Sequence, residues 1–539
     1  MSRWVLLPVV LLLGGALALT WRLQDDPDST SAQAGQEQQR EPEPTLQSWT
    51  PTEHQVSQAR RIVEDLTLDE LAGQLIVARH VSEKDSLRLV RERHVAGVMV
   101  TGQRPTDGGD DPLAQVKDLN GELRAAGADR GVPVLLPIDQ EGGLVARIEE
   151  PMTVFGSFMG AGAAVAGDPQ EGAQAVRQAA AGSGAELREA GFTMVLAPVA
   201  DLSIGPDHPA IGSRSPSSDP EVAARTVLAA VEGYGDAALL STVKHFPGHN
   251  VDEDSHDLLP TLESSEEELG ERDLVPFVAA IEQRAPAVMV GHLDVPALDA
   301  GTPASLSREV VTGWLRDRLG FEGVIISDAL DMGAVTAGRP AEEAVVATLR
   351  AGNDLALMPV DADAAHAAVV EALESGRLEE EQARASATRT VSWLLAQDAS
   401  TALPGGPGSA DEAAQEVARA GLSIVTRPCG RPLDVDAVEP VGPPGPVARF
   451  RAAAQDVGLT LGGGTRVALI GADGVVHDGD VAVATDTPYP LARSQASVRI
   501  ALHGSGEPAM RALAEVLAGD APAGGSLSVE VPGLEPTSC

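Results

Sequence analysis

The sequence is poor in positively charged residues. Its 539 residues include 39 Lys and Arg against 79 Asp and Glu, which gives a formal net charge of −40 at pH 7. A chain of this charge is repelled by the phosphates of nucleic acids and by anionic membrane surfaces, so we expect neither as a partner. The charge favours solubility and says nothing about the fold. Lysine is scarcest, since only Lys84, Lys117 and Lys244 are present.

Cysteine and aromatic residues are also scarce. The chain has two cysteines, Cys429 and Cys539, which could pair in an oxidising compartment, although two cysteines alone do not establish a disulfide. Aromatic residues make up 3% of the chain, so Ala, Val, Leu and Gly must fill the cores that an apolar fraction of 43% can build. No G-x-G-x-x-G motif follows an early strand, which argues against a dinucleotide-binding domain.

The sequence lacks a clear metal-ligand spacing. His249, Asp252, Asp254 and His256 can be read as a zinc cluster, but a loop with two histidines and two acids is weak evidence for one. We therefore expect no metal ion and no other cofactor.

A long apolar run lies near the N-terminus, at residues 5–20, between Trp4 and Trp21. Residues 16–18, Ala-Leu-Ala, offer the small side chains that a signal peptidase cleaves after. As a helix, however, the run spans roughly 27 Å, close to the thickness of a bilayer core. Segment 1–21 is therefore predicted to be a signal peptide or a single N-terminal membrane anchor, and the rest of the protein to be extracytoplasmic.

Two further segments have the composition of a linker and of a large α/β domain. Residues 22–50 are polar and rich in Gln, Glu, Pro and Ser, which predicts a disordered linker. Over residues 51–397 short apolar runs alternate with segments of helical length. The predicted strands are 73–78, 95–100, 132–138, 192–198, 237–243, 287–290, 323–326 and 355–358. Eight strands alternating with helices predict a (β/α)8 TIM-like barrel, with an open doubly wound sheet as the alternative.

A second, smaller α/β domain is predicted at residues 412–539, after a linker at 398–411 that is rich in Ser, Ala, Pro and Gly. Its predicted strands are 422–426, 466–470, 481–485, 498–502 and 527–531, and its predicted helices are 447–457 and 508–517. The domain contains no cluster of catalytic residue types, so we expect it to serve in packing or in contact with a cell wall.

Polar residues follow the predicted barrel strands at their carboxyl ends, where barrel enzymes assemble their active sites. These residues are Asp139, Asp201, Lys244 with His245, His292 and Asp328. Any one of them could be a helix cap or a solvated loop residue. Their recurrence at one end of five strands instead predicts an active site.

The motifs in these positions resemble those of family 3 glycoside hydrolases, in the NagZ-like β-N-acetylglucosaminidase branch. The matching stretches, in family order over residues 55–397, are IDQEGG (138–143), LAPV (196–199), KHFPGH (244–249), DSH (254–256), VMVGHLDVPAL (288–298) and GFEGVIISD (320–328). The Asp-Ser-His element distinguishes this branch from the family's β-glucosidases. Two departures are Leu144, where the family often has Arg, and a loop between His249 and Asp254 that is about one residue short.

The resemblance implies roles for individual residues. Asp328 corresponds to the nucleophile, with Asp331 as a weaker candidate, and His256 corresponds to the general acid/base, with Asp254 as its partner. The residues that would hold the sugar hydroxyls are Asp139, Arg147, Arg214, Lys244 and His245.

These roles agree with the chemistry of a retaining glycosidase. Such an enzyme needs one carboxylate to attack the anomeric carbon and one proton donor for the departing oxygen. A histidine, with an unperturbed pKa near 6.5, can donate at neutral pH, and an acid beside it can fix its tautomer and stabilise the imidazolium.

We therefore expect an exported, monomeric, retaining exo-β-N-acetylglucosaminidase acting on peptidoglycan- or chitin-derived saccharides. Three alternatives remain: a family 3 β-glucosidase, an N-acetylglucosaminide phosphorylase, and an inactive wall-binding module. The phosphorylase alternative remains because a histidine acid/base, unlike a carboxylate, does not repel a phosphate that approaches the glycosyl-enzyme.

Overall fold

The computed structural model describes residues 50–100, 111–206, 208, 210–427, 433 and 435–534. The predicted N-terminal segment 1–21, the predicted linker except its last residue, and both cysteines lie outside the described residues. Within the described residues, no helix combines the length and the apolar character that crossing a membrane requires.

The eight barrel strands predicted from the apolar runs are present, and most are shorter than predicted. They are β1 Ile76–Arg79, β2 Gly97–Met99, β3 Pro137–Ile138, β4 Met194–Val195, β5 Leu240–Phe246, β6 Ala287–Val290, β7 Val324–Ser327 and β8 Ala356–Leu357. β1 pairs with β2 and β8, and β3 to β7 pair in sequence, all in parallel. Parallel bridges Gly97–Leu135 and Ile326–Leu355 join the two sheets. The ring of strands is closed, which confirms the predicted TIM-like barrel.

Helices connect these strands and cover the barrel. The longer ones are Glu53–Glu64, Leu68–Gly73, Glu83–Glu92, Pro112–Arg130, Phe158–Gly167, Glu171–Glu189, Pro220–Asp236, Val275–Glu282, Ala341–Ala351, Ala362–Glu374 and Glu380–Ala399. The first two begin with reciprocal capping boxes, in which the hydroxyls of Thr52 and Thr67 accept from the backbone N–H of Gln55 and Glu70. Each such cap satisfies backbone donors that a helix start leaves unpaired.

A ten-residue π-helix, Glu309–Arg318, and several shorter helical segments complete this part of the chain. The shorter ones are Glu266–Glu268, Leu269–Asp273, Pro296–Asp299, Gly333–Thr336, Gly212–Arg214 and Ala304–Leu306. Between β5 and β6 the helical segment is interrupted, with a π-helical stretch at Leu269–Asp273 and a new α-helix from Val275. Pro276 accounts for the break, since proline has no backbone N–H and is tolerated only in the first turn of a helix.

Strand β5 carries Lys244 and His245 and is buried along its whole length. Its last residue, Phe246, packs edge to face on Phe277, with ring centroids 5.5 Å apart and an interplanar angle of 88°. Such a pair contributes about 0.5–1.5 kcal/mol beyond the burial of its area. The contact anchors the end of β5 to the helix Val275–Glu282 and thereby fixes where Lys244 and His245 leave the barrel.

The second domain is a six-stranded sheet with helices packed on it. Its strands are β9 Ser423–Thr426, β10 Ala437–Val441, β11 Thr460–Leu461, β12 Thr465–Ile470, β13 Val481–Ala484 and β14 Val498–Ala501. The order is β9-β14-β13-β12-β10-β11, and only β9 is antiparallel to its neighbour. The helices are Asp411–Gly421, Pro444–Asp456, Tyr489–Arg493 and Glu507–Ala518.

The sequence pattern mispredicts three parts of this sheet. The two-residue strand β11 is absent from the prediction. β10 is also absent from the prediction, because Glu439 and Pro440 interrupt its apolar pattern. β11 pairs only with the start of β10, so at Pro440 the strand has a neighbour, β12, on one side only, which is where a strand tolerates proline. The predicted strand 527–531 is wrong: Ser528 lies outside any strand. Its carbonyl accepts from the Ser217 hydroxyl at 2.7 Å and from the Ser218 N–H at 3.1 Å, so it bonds a barrel loop instead of a strand.

Candidate active site

A cavity of about 520 Å³ opens at the carboxyl ends of the barrel strands. Seven of the eight predicted site residues line it, and these are Asp139, Arg147, Arg214, Lys244, His245, His256 and Asp328. The eighth, Asp254, lies behind His256 and bonds to it. Residues that the sequence spreads over almost 200 positions are therefore gathered into one cavity, because parallel strands bring their carboxyl ends to the same rim.

Lys244 lies at the centre of a buried charge cluster. Its Nζ is 2.9 Å from Oδ1 of Asp139 and 2.6 Å from Oε1 of Glu141. Arg214 holds the same Glu141 from the other side, with Nε 2.8 Å from Oε2 and Nη2 2.9 Å from Oε1. The side chains of Lys244 and Glu141 are only 3% and 2% exposed. Buried charges at this depth persist only when each is paired.

Electrostatics in this cluster favour the ionised forms. Burial raises the pKa of Glu141, but the charges of Arg214 and Lys244 outweigh it and bring the pKa down to about 2. Burial lowers the pKa of Lys244, and here Asp139 and Glu141 outweigh it, so the pKa lies above its usual value. The cluster therefore holds two carboxylates and two cations at neutral pH.

His245 is oriented by a fully buried carboxylate. Its Nδ1 is 2.7 Å from Oδ2 of Asp201, and its backbone N–H donates to Oδ1 of the same residue at 3.0 Å. Asp201 also accepts from the backbone N–H of His249 at 2.7 Å. Because the carboxylate can only accept, Nδ1 of His245 carries the proton and Nε2 is left as an acceptor, 3.4 Å from Nη2 of Arg214.

Asp328 follows β7 and is held by backbone contacts. Its N–H donates to the Val290 carbonyl at 2.9 Å, and its Oδ1 accepts from the N–H of Ala329 at 2.8 Å. Burial raises the pKa of Asp328, but His245, His292, the Ala329 N–H and Lys244 together outweigh it and leave the pKa below its usual value. The carboxylate is therefore ionised at neutral pH.

His292 supports the turn that carries Asp328. The imidazole is buried, and its Nε2 donates to the Ala329 carbonyl at 2.9 Å while Nδ1 accepts from the Ser305 hydroxyl at 2.7 Å. Burial lowers the pKa of His292, so the ring is neutral and supplies one donor and one acceptor, as these two contacts require.

The Asp254–His256 pair lies at the rim of the cavity. Nδ1 of His256 is 2.7 Å from Oδ1 of Asp254, which also accepts the backbone N–H of His256 at 2.9 Å. The His256 side chain is 70% exposed. Its loop is nevertheless fixed to the segment after Asp328, because Gly333 donates its N–H to the His256 carbonyl at 2.9 Å.

A short hairpin, Gln140–Gly142 with Val145–Ala146, brings Arg147 to the other side of the cavity. The side-chain oxygen of Gln140 accepts the backbone N–H of Arg147 at 2.8 Å, and Arg147 Nη2 is 3.4 Å from Oδ2 of Asp139. Leu144, which replaces an arginine common in the family, is exposed at the turn of this hairpin.

The four candidate zinc ligands, His249, Asp252, Asp254 and His256, all lie within the described residues. In the part of the chain that the structure describes, no group of three or more His, Cys, Asp or Glu side chains is arranged to hold a metal ion.

Sequence reasoning gave no role to four residues that shape the site. Asp201 and His292 follow predicted strands, and Glu141 lies inside a matching motif, but the sequence alone implies no function for them. Arg79 ends β1 and forms an ion pair with Asp331. The signal in the sequence is a charged residue directly after a predicted apolar run, as at Arg79 after 73–78 and, three residues after 192–198, at Asp201.

Residues 67–393 match the N-terminal domain of glycosyl hydrolase family 3. The match covers more than half of the chain, so the chain belongs to this family of glycoside hydrolases.

Proteins similar to this chain carry related names. The β-hexosaminidase A of Pseudoalteromonas piscicida is 35% identical over 301 residues, which are 51% of this chain and 50% of that protein. A β-hexosaminidase of Xanthomonas euvesicatoria pv. vesicatoria (strain 85-10) is 39% identical over 245 residues, 45% of this chain and 72% of that protein. The solved structure of a family 3 β-N-acetylglucosaminidase from Paenibacillus sp. str. FPU-7 is 30% identical, has a TM-score of 0.76, and covers 88% of this chain and 100% of that chain. The chain thus spans half the length of the Pseudoalteromonas relative.

Proposed function

We propose that this protein is a retaining exo-β-N-acetylhexosaminidase that removes terminal β-linked N-acetylglucosamine. The observation that carries the proposal is the contact of Asp254 with Nδ1 of His256 at 2.7 Å, on a loop tied to the segment after Asp328. The loop that carries a proton donor, His256, is thereby fixed to the segment that follows the half-buried, ionised Asp328 carboxylate. The names of the similar proteins and the family membership support the same activity.

In the first step, the Asp328 carboxylate attacks the anomeric carbon and the bond to the departing oxygen breaks. Asp328 is favoured over Asp331 because Asp331 is already engaged in an ion pair with Arg79. His256, protonated on both ring nitrogens, gives the proton on Nε2 to the departing oxygen. The product is a covalent glycosyl-enzyme with the aglycone released.

In the second step, the same imidazole acts as a base. His256, now neutral, takes a proton from a water molecule, whose oxygen attacks the anomeric carbon and displaces Asp328. Asp254 accepts from Nδ1 throughout, which keeps Nε2 directed at the reacting oxygen and stabilises the imidazolium whenever it forms. Two displacements at one carbon retain its configuration.

The charge cluster is proposed to bind the terminal sugar. The cations Lys244, Arg147 and Arg214 line the cavity and offer N–H donors to the sugar. Asp139 offers acceptors, and the combination suits hydroxyl groups, which both donate and accept. The Lys244 and Glu141 side chains are only 3% and 2% exposed. This burial supports exo action, because a sugar at a chain end reaches such groups more readily than one inside a chain.

We further propose that the protein is exported through its N-terminal segment 1–21 and acts on peptidoglycan- or chitin-derived saccharides. The support is the apolar run at residues 5–20 with Trp4 and Trp21 at its ends. Fractionation of cells into cytoplasm, membrane and medium checks the location, and recovery of the protein in the cytoplasm would contradict it.

A substrate panel tests the activity. The purified protein is assayed on aryl β-N-acetylglucosaminide and aryl β-glucoside, each with and without inorganic phosphate. Preferred hydrolysis of the N-acetylglucosaminide, with no phosphate requirement, is the expected result. Preference for the glucoside supports the β-glucosidase alternative, a sugar 1-phosphate product supports the phosphorylase, and binding to peptidoglycan without turnover supports the wall-binding module.

A leaving-group series tests the role of His256. In His256→Ala, substrates with poor leaving groups should lose most activity, because a dinitrophenolate departs without a proton. The glycosyl-enzyme should then accumulate, and azide, which needs no base, should partly restore turnover and give a β-glycosyl azide. His54→Ala, at an exposed position on the helix Glu53–Glu64, is the matched control. Equal losses on all leaving groups, with no azide product, would reject the acid/base role.

A further inference from the structure

The segment that carries Arg214 lies between the barrel and the second domain. Arg214 ends the short 3₁₀ helix Gly212–Arg214 and bonds Glu141 and, through Nη1, the Ala210 carbonyl at 2.8 Å. On the barrel side, the helix Phe158–Gly167 comes so close that a Cβ at Gly162 would lie 1.7 Å from the Pro216 carbonyl. The segment therefore has no room to move towards the barrel.

The second domain holds the same segment from the other side. Ser213, the neighbour of Arg214, is buried and donates its hydroxyl to Oδ1 of Asp486, just after β13. The Tyr489 hydroxyl forms a hydrogen bond of 2.9 Å with the hydroxyl of Ser203, which lies between β4 and the segment that carries Arg214.

The position of Asp486 is itself fixed. Its backbone carbonyl is 3.2 Å from Nδ1 of His503, and the His503 carbonyl accepts the Ser157 N–H from the barrel at 2.7 Å. The carboxyl ends of β13 and β14, where open α/β sheets usually bind ligands, thus contact the loops of the barrel.

We infer that the second domain positions Arg214, and so the sugar subsite, through the hydrogen bonds of Asp486 to Ser213 and of Tyr489 to Ser203. Asp486 and Tyr489 are positioning residues, because they act through the segment and do not line the cavity. The inference rests on the proposed function, in which Arg214 contributes to sugar binding. It assigns the second domain a part in substrate affinity that its sequence did not suggest.

The expected effect follows from the population of molecules that hold Arg214 in place. When a protein binds its ligand in only a fraction of its conformations, the apparent affinity falls by that fraction. Loss of the Asp486–Ser213 hydrogen bond should therefore raise KM about tenfold, the factor that corresponds to about 1.4 kcal/mol. Bound substrate restores the position of Arg214, so kcat should stay within about twofold.

A double-mutant cycle tests this. Ser213→Ala and Asp486→Ala should each raise KM about tenfold, and the double variant should be no worse than either, since both remove the same bond. Asp486→Asn keeps an acceptor oxygen and should recover part of the affinity. Asp411→Ala is the matched control, because Asp411 accepts from the Thr153 hydroxyl at 2.8 Å across the same domain boundary. Unchanged KM values, effects that multiply, or an equal rise in the control would overturn the inference.

Hydrogen exchange separates this inference from the proposed function. If the unmodified protein turns over no N-acetylglucosaminide, the proposed function fails, but backbone exchange of residues 210–218 can still be measured. Faster exchange of that segment in Asp486→Ala than in Asp411→Ala supports the positioning role. Equal exchange in the two variants contradicts it.

Discussion

Glu141→Gln removes one charge from the centre of the buried cluster and nearly preserves the shape of the side chain. Glu141 contacts Lys244 at 2.6 Å and Arg214 at 2.8 and 2.9 Å, so the change leaves two buried cations with Asp139 as their only remaining carboxylate in the cluster. The new amide also turns an N–H₂ group towards N–H donors. Breaking a buried pair in this way costs about 3–5 kcal/mol, because a charge is left uncompensated.

The pKa of Glu141 gives a second value for its contribution to the free energy of unfolding. It falls from 4.5 to about 2 in the folded protein, and at 1.36 kcal/mol per pKa unit this corresponds to about 3 kcal/mol of stability at neutral pH. Because the folded-state pKa is below the unfolded-state pKa, the contribution is complete above about pH 4.5 and is lost as the pH falls towards 2.

Thermal unfolding, monitored by circular dichroism, measures the loss of stability in Glu141→Gln. For a barrel of about 350 residues the unfolding entropy is about 0.7 kcal/mol/K, so a loss of about 3 kcal/mol lowers the midpoint by about 4 °C. The difference from the unmodified protein should be constant from pH 6 to pH 8 and should shrink below about pH 4.5.

A matched control is Glu189→Gln, in which the lost partner is Lys117 at 3.0 Å and the Glu189 side chain is 53% exposed. An exposed pair of this kind contributes about 0–1 kcal/mol. If Glu141→Gln destabilises the protein no more than this control does at pH 7, or if the difference does not depend on pH below 4.5, the assignment of a net-stabilising ion cluster is wrong.

Three further predictions concern the chemistry. Asp328→Asn should reduce kcat more than about 10³-fold and leave the fold unchanged. A 2-fluoro sugar should label Asp328, as detected by mass spectrometry, and labelling of Asp331 instead would identify Asp331 as the nucleophile. Asp254→Asn should reduce kcat by up to about four orders of magnitude, as in related triads, and a loss below tenfold would remove Asp254 from the mechanism. His292→Ala removes the hydrogen bond to the Ala329 carbonyl that fixes the turn after Asp328, and should reduce kcat about hundredfold. An unchanged kcat would show that the turn keeps its conformation without His292.

The barrel could be predicted from the sequence because its strands are parallel and buried on both faces. Such strands read as continuous apolar runs, and each of the eight runs corresponds to a strand. Segment 527–531 also alternates apolar and polar residues, yet it forms no strand. Its Ser528 carbonyl instead accepts hydrogen bonds from Ser217 and Ser218 in a barrel loop. A local pattern records the tendency to be buried and extended, but it does not record which partner supplies the hydrogen bonds.

The residues that line the candidate site could be predicted to a similar extent. Residues that touch the cavity could be found from motifs at strand ends, and seven of the eight predicted residues line it. Residues that hold those side chains in place were missed, including Glu141, which itself lines the cavity, because their partners are distant in the sequence. Glu141 is 73 positions from Arg214, and Asp486 is 273 positions from Ser213. Only the folded chain shows that such pairs meet.

The scarcity of lysine in this chain explains why Lys244 is informative. Arginine supplies almost all other cations, and a planar guanidinium suits the paired oxygens of a single carboxylate, as Arg214 does with Glu141. Lys244 instead contacts two different carboxylates, Asp139 and Glu141, at 2.9 and 2.6 Å in a space that leaves it 3% exposed. An ammonium has three donors in a compact arrangement, so two can bind these acids while the third is directed elsewhere. Under the proposed function the third donor is free to bind a sugar hydroxyl, and a bulkier, planar guanidinium would compete for that space, which is a physical reason for a lysine here in a chain that otherwise uses arginine.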